Sequence, residues 1–387
     1  VVLVTTGGPL AGVRVVELAG IGPGPFAGML LADLGAEVIQ VDRTVGSASQ
    51  TAHERDHVQR GRRSIRLDLK DSDGVALLFR LVERSDVLVD PYRPGVAERL
   101  GIGPEVCLER NPRLVYARMT GWGQDGPLAS HAGHDINYLA ISGALEGMGR
   151  TGQPPTPALN YVADLGGGAL YLVVGVLAAL LERHASGRGQ VVDAAMVDGV
   201  ASMTAFVRGI RASGQWPGGR GENSFDSGAP WYDTYATSDR RWVAIGCLEP
   251  QFYATLLDVL GLRDDPVVGV QDDDRARWPA MKARFAEVLA GRTRDEWAAM
   301  AAERPDLCLS PVLELDEAPA HPHNVARTAF LPLGADSQPA PAPRLSRTPG
   351  TVGRAPVALG ADTDEVLAEL GCGAEEIADL RRRGSVS

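Results

Sequence analysis

The sequence predicts an α/β fold in two domains, and three observations predict it. A β-branched strand at Val13–Leu18 runs through GIGPGP at 20–25 into a helical pattern at Phe26–Leu34 and a second strand at Glu37–Val41, which is a strand–turn–helix–strand unit. The alternation continues through an amphipathic helix at Asp71–Arg84, a buried strand at Val87–Val89 and another strand at Arg113–Thr120. A Gly-, Ser- and Asn-rich stretch without apolar periodicity, SGQWPGGRGENSFDSGAP at 213–230, then reads as a linker to a second group of elements. With 387 residues, 44% of them hydrophobic, the chain can supply a core to each domain.

Each segment has its own signal. In the first turn, Gly22, Gly24 and Ala27 satisfy the short dinucleotide-binding pattern, with Asp42 near the position of a ribose-binding acid. Against a nicotinamide enzyme, Pro23 and Pro25 remove two amide donors from the loop that would cradle a pyrophosphate. QRGRRSIRLDLK at 59–70 places Arg60, Arg62, Arg63 and Arg66 together, either as a solvated face or as a phosphate site. Arg43 ends the second strand and Arg93 the strand after it; ligands collect at that edge of α/β sheets, so both are candidate phosphate clamps. GWGQDGP at 121–127 is a glycine-rich loop, and 187–203 reads as a strand followed by a helix. Beyond the linker, 231–253 reads as a β-hairpin leading through Glu249 and Pro250 into a helix, followed by helices at 251–261, 279–290 and 294–303. PVLELDEA at 311–318 and QPAPAPRLSRTPG at 338–350 return the chain to the first domain, and 363–383 holds two short helices. The expected boundaries are therefore 1–212 with 319–387 for the large domain, 213–230 for the linker and 231–318 for the small one.

Composition limits the functions. A formal net charge of −11 argues against nucleic acid as a partner, since phosphate backbones need a basic surface. The longest uncharged apolar run, Ala169–Leu181, is too short to span a bilayer, and VVLVTTGG at the start lacks a basic region and a cleavage-site pattern. No membrane insertion and a cytoplasmic location are the expectation. Cys107, Cys247, Cys308 and Cys372 are far apart, with no paired spacing for zinc and no density of a disulfide framework.

The reactive side chains concentrate between His131 and Gly168. AGHDINY at 132–138 sets His134 beside Asp135 and near Tyr138; LNYVADLGGG at 159–168 carries Asn160 and ends in Asp164 and three glycines. Residues Leu165–Glu182 favour helix, which makes Asp164 the expected N-cap, where free amides favour its ionised form and burial opposes it. Gly166, Gly167 and Gly168 either let a ligand reach backbone amides, as an oxyanion site requires, or serve helix packing. His134 is a turn residue satisfied by its neighbour or a base near neutral pH.

Several long segments in one order resemble the class III coenzyme A transferases (the CaiB/BaiF family), most closely their α-methylacyl-CoA racemase branch: LLADLGAEVIQVDR at 30–43, RSIRLDLK at 63–70, YRPGVAERLG at 92–101, RMTGWGQDGP at 118–127, AGHDINY, the Asp164 segment, GQVVDAAMVDG at 189–199, APWYDTY at 229–235, LEPQFY at 248–253 and PAPRLSRTPG at 341–350. The resemblance implies a Rossmann-like large domain formed by both chain ends, a small domain from the middle, and a homodimer of interlocked rings with acyl-CoA as substrate. It implies that His134 and Asp164 are acid/base residues flanking Cα, that Glu249 contacts the histidine, and that Asp135, Tyr138 and Asn160 support them. Arg43, Arg62, Arg63 and Arg93 would bind the coenzyme A moiety, and backbone at Gly121, Gly123, Gly166 or Gly167 would serve the enolate oxygen. No metal or redox cofactor is required. Where the racemases carry Gly, this chain has Ala163 before the aspartate and Arg240 in the hairpin turn. In the transferase branch the matching aspartate attacks the thioester and the histidine–aspartate pair is generally missing. Racemase, transferase and non-catalytic acyl-CoA binder are the three hypotheses, and GHD at 133–135 selects the first.

Overall fold

The computed structural model describes residues 7–45, 56–333 and 336–387, so the first six residues and most of the 45–57 loop lie outside the described residues. The chain divides into two compact units: 1–142, 159–203 and 326–387 form the first, and 143–158 with 204–325 the second. The stretch 213–230, expected to be a linker, is instead folded into the second unit. Buried Asn223 organises it, its side-chain amide donating to the carbonyl of Gly219 at 2.7 Å and to Asp226 at 2.8 Å. Glycine-rich composition here reflects tight turns around one buried side chain.

The first unit is built on a six-stranded parallel sheet with strands β1 Arg14–Leu18, β2 Glu37–Asp42, β3 Arg62–Arg66, β4 Val87–Asp90, β5 Val115–Thr120 and β6 Gln190–Ala195, in the order β3-β2-β1-β4-β5-β6. The order reverses between β1 and β4, so a crevice opens at their carboxyl ends. Every residue of β4 and β5 is buried, as expected for strands covered on both faces. One face packs Val16, Ile39, Ile65 and Leu88 against helices Ser72–Val82, Thr363–Glu369 and Ala374–Arg383, which brings the end of the chain into the core of its beginning. The other face carries the polar row Glu17, Gln40 and Ser64, side by side in register.

Helix Pro23–Asp33 starts three residues earlier than the pattern suggested. Pro23 and Pro25 fall in its first turn, where a missing N–H costs nothing. The second unit contains the antiparallel sheet β7 Tyr232–Ala236, β8 Trp242–Gly246 and β9 Leu309–Pro311, packed on helices Pro250–Leu260, Trp278–Leu289 and Arg294–Ala302 around Trp231, Tyr253, Trp278 and Phe285. Short strands β10 Phe330–Leu333 and β11 Asp336–Pro339 form a separate antiparallel pair.

Candidate active site

The helix that carries Asp164 differs from the sequence expectation. It runs from Tyr161 to Ser186, and its first ten residues, Tyr161–Leu170, are wound as a π-helix. Asp164 is therefore inside the helix, and Asn160 occupies the N-cap position. Asp135 supplies the missing cap from outside: its Oδ2 accepts the amides of Ala163 at 2.8 Å and Asp164 at 2.9 Å. A tertiary cap lets the helix begin before the residue that local composition marks as its start.

The three glycines serve packing. A β-carbon on Gly167 would lie 2.7 Å from Val200 Cγ2, and one on Gly199 would lie 1.9 Å from the carbonyl oxygen of Gly167. The helices Tyr161–Ser186 and Met196–Met203 thus cross backbone to backbone. Gly166 and Gly167 lie within the π-helix, whose ladder takes up backbone amides, so they do not offer an oxyanion site. The amide of Gly123 donates to Thr120 Oγ1 at 3.1 Å and is likewise engaged.

A cavity of about 350 Å³ opens in the first unit at the carboxyl ends of β1, β4 and β5. His134, Asp164, Tyr138, Arg93 and Gly121 all line it, together with Trp122. Exposed His134 precedes helix Asp135–Ser142 and is held by its backbone, its amide donating to Asn137 Oδ1 at 3.0 Å and its carbonyl accepting from the Asn137 amide at 2.8 Å. Burial raises the Asp164 carboxyl above its ordinary range; the Asn160 amide, donating to Oδ2 at 3.4 Å, opposes this, the charge of Asp135 adds to the rise, and His134 opposes it. Burial also raises the Tyr138 phenol, reinforced by Asp164 and Asp135 and opposed by Arg93.

A second, larger cavity of about 970 Å³ lies at the ends of β1, β2 and β4 and is lined by Arg43, Asp42, Gln40, Tyr92 and Asn160. Ile21, Gly22 and Pro91 line both cavities, so the two meet at the crevice where the strand order reverses. The sequence did not single out Ile21 or Trp122. The two prolines of GIGPGP were the available signal, since they fix the helix start and leave Ile21, 94% exposed, at the lip of both cavities.

Arg62 and Arg63 fall outside these cavities. Arg62 is buried on the polar face of the sheet and donates to Glu17 Oε2 at 2.8 Å and to the carbonyls of Pro25 and Val58, so its guanidinium is an internal tie. Gly28 makes room for this pair, since a β-carbon there would lie 2.1 Å from Glu17 Oε2. Arg63 lines a cleft with Arg14 and Glu37 at the amino ends of β1 and β2, opposite the crevice, and pairs with Glu37 at 2.9 Å and Glu369 at 2.8 Å. Neither residue faces the crevice. Glu249 belongs to the second unit, where it is exposed at the N-cap of helix Pro250–Leu260. No cluster of His, Cys, Asp and Glu that could hold a metal ion occurs among the described residues.

Comparison with known proteins gives a consistent family. The family model for CoA-transferase family III matches residues 10–363. The chain is 48% identical to the α-methylacyl-CoA racemase of Mus musculus and 45% identical to that of Homo sapiens, in each case over 96% of both chains. Among solved structures, a CaiB/BaiF family protein from Brucella suis covers 94% of this chain and 99% of its own, with a TM-score of 0.83 and 27% identity.

Proposed function

Because the chain belongs to CoA-transferase family III, we propose that it inverts the α-carbon of 2-methyl-branched acyl-CoA thioesters. The observation that carries this reading is the shared cavity of His134 and Asp164: two proton carriers of different kind face one space beside the crevice. Racemisation needs a base on one side of Cα and an acid on the other. With one enantiomer, neutral His134 takes the α-proton and protonated Asp164 delivers one to the opposite face; with the other enantiomer the roles reverse. The raised Asp164 carboxyl supports its proton-carrying role. The reaction is redox-neutral, and these two residues supply both proton transfers.

Arg93 beside the pair and Arg43 in the larger cavity are the arginines we assign to the coenzyme A moiety, with the ligand crossing the shared lip at Ile21 and Pro91. The orienting role of Glu249 rests on the resemblance alone; Glu249→Gln should lower turnover while leaving coenzyme A ester affinity unchanged.

We extend the proposal to a homodimer. The helix Tyr161–Ser186 is long and apolar enough to cross a membrane by length and composition, yet only 39% of its most apolar window is buried. Leu170, Val174 and Leu181 on it are exposed, as are Ile136 and Ile141 on helix Asp135–Ser142. A surface of this kind needs cover, and the family resemblance favours a second copy. Light scattering on the purified chain should give twice the monomer mass.

The activity is tested by incubating one enantiomer of a 2-methylacyl-CoA in heavy water without a second carboxylate. Deuterium should enter Cα as the product enantiomer appears, and replacing His134 or Asp164 should stop inversion. A transferase would require an acceptor acid and form an acyl–aspartyl anhydride at Asp164 that hydroxylamine traps. Inversion without solvent deuterium would overturn the two-base reading.

A further inference from the structure

The enolate that links the two proton transfers places negative charge on the thioester oxygen, and that charge needs a donor fixed in place beforehand. Of the glycines on which the sequence placed this task, Gly166 and Gly167 pack inside the helix and the Gly123 amide binds Thr120, while Gly121 lines the cavity against the Tyr138 ring. We propose that the phenol hydroxyl of Tyr138 is a side-chain donor for this charge, hydrogen-bonding the thioester oxygen as the enolate forms. This deepens the racemase reading and rests on it.

Tyr138 lines the same cavity as His134 and Asp164, and no hydrogen bond to its hydroxyl is formed among the described residues. The residue as a whole is 5% exposed, so the ring is held in the interior beside the cavity. Its position is fixed from three sides. The Trp122 ring packs edge-to-face on it, with centroids 4.7 Å apart. A β-carbon on Gly121 would lie 2.3 Å from the phenol oxygen, and one on Gly133 would lie 2.8 Å from the ring, so two glycines that flank the site make a slot only this ring fills. One turn of helix Asp135–Ser142 joins Tyr138 to His134, whose carbonyl accepts the Tyr138 amide at 3.4 Å, and this couples donor and base on one rigid element. Burial and the two neighbouring aspartates keep the phenol protonated, the form that can donate. No bond to hydrogen is broken at Tyr138: the α-proton goes to one base, the new proton comes from the other, and the phenol retains its own.

Tyr138→Phe removes the hydroxyl and keeps the ring in its slot. The expected result is a fall of about 10²–10³-fold in both inversion and Cα deuterium exchange, the loss seen when one oxyanion donor is removed. Affinity for an uncharged CoA thioether should stay within threefold of the parent. Affinity for a nitronate-bearing CoA thioether, which carries the charge of an enolate, should fall by more than tenfold. Exchange at the parental rate in the variant overturns the proposal, and so does an equal loss of affinity for charged and uncharged analogues, which would mark a packing role. Absence of exchange in the parent itself would defeat the racemase reading on which the proposal stands, a result distinct from either.

Discussion

The Oδ2 atom of Asp135 accepts the backbone amide of Asp164 at 2.9 Å, with the Ala163 amide on the same oxygen at 2.8 Å. The sequence neighbour of one proposed base is thus the cap of the helix that carries the other. The charge of Asp135 adds to the burial that raises the Asp164 carboxyl. Asp135→Asn keeps an oxygen acceptor and removes the charge, so Asp164 should titrate at lower pH. Where Asp164 acts as base, activity is lost as pH falls through its pKa, and where it acts as acid, activity is lost as pH rises through it. Both limbs should move to lower pH in the variant, measured as kcat/KM for each enantiomer. Limbs that stay in place would show that the charge does not reach Asp164.

Gly167→Ala tests the glycine crossing. The new methyl group would meet Val200 Cγ2 at 2.7 Å and the Val200 amide nitrogen at 2.8 Å, and backbone cannot rotate away as a side chain can. The expected loss is about 1–3 kcal/mol, as for an overpacked core. The urea midpoint of the full chain is the readout. A midpoint equal to the parent's would mean that the helices separate freely.

The strand–helix alternation was legible because β-branched runs and amphipathic periods are local, and the position of Arg43 and Arg93 at the crevice was legible because strand ends are. Arg62 and Arg63 were not. Adjacent strand residues point to opposite faces, and their partners Glu17 and Glu369 lie 45 and 306 positions away, beyond any local pattern. The start of the Asp164 helix was missed for the same reason, since its cap comes from Asp135, 29 residues earlier. Composition also could not distinguish glycines that open a loop to ligand from glycines that let two helices touch. Only the second helix, with Gly199 opposite Gly167, decides between them.

Arg240, in the turn of the β7–β8 hairpin, has a positive φ of 62°. Its side chain is exposed in the turn closed by the Thr237 amide on the Arg241 carbonyl at 2.9 Å. A β-carbon in this left-handed region is strained by roughly 1–2 kcal/mol, and glycine relieves the strain at some cost in unfolded-chain entropy. Arg240→Gly should therefore stabilise by about 0.5–1 kcal/mol, seen as a higher denaturant midpoint with no change in slope. A lower midpoint would place a stabilising contact on the arginine.

The second unit has a pH-sensitive tie at Glu317. Its carboxylate accepts both ends of the Arg294 guanidinium, at 2.6 and 3.0 Å, and the Glu314 amide at 2.9 Å. Arg294 is 4% exposed, so the pair joins the start of helix Arg294–Ala302 to the segment after β9 with little solvent on the arginine side. The hydrogen bonds from Arg294 lead in holding the Glu317 carboxyl down at about 2, against an ordinary value of 4.5. The folded pKa is depressed, so this contribution is fully present above pH 4.5 and is lost as pH falls from there through 2. Other carboxylates titrate in the same range, which makes the difference between parent and Glu317→Gln the useful quantity. In urea unfolding of the full chain, followed by tryptophan fluorescence with buried Trp297 on the same helix, the parent should exceed the variant by a constant margin above pH 5. That margin should shrink as the pH approaches 2. A margin independent of pH would show that the shape of the glutamate, and not its charge, holds the helix in place.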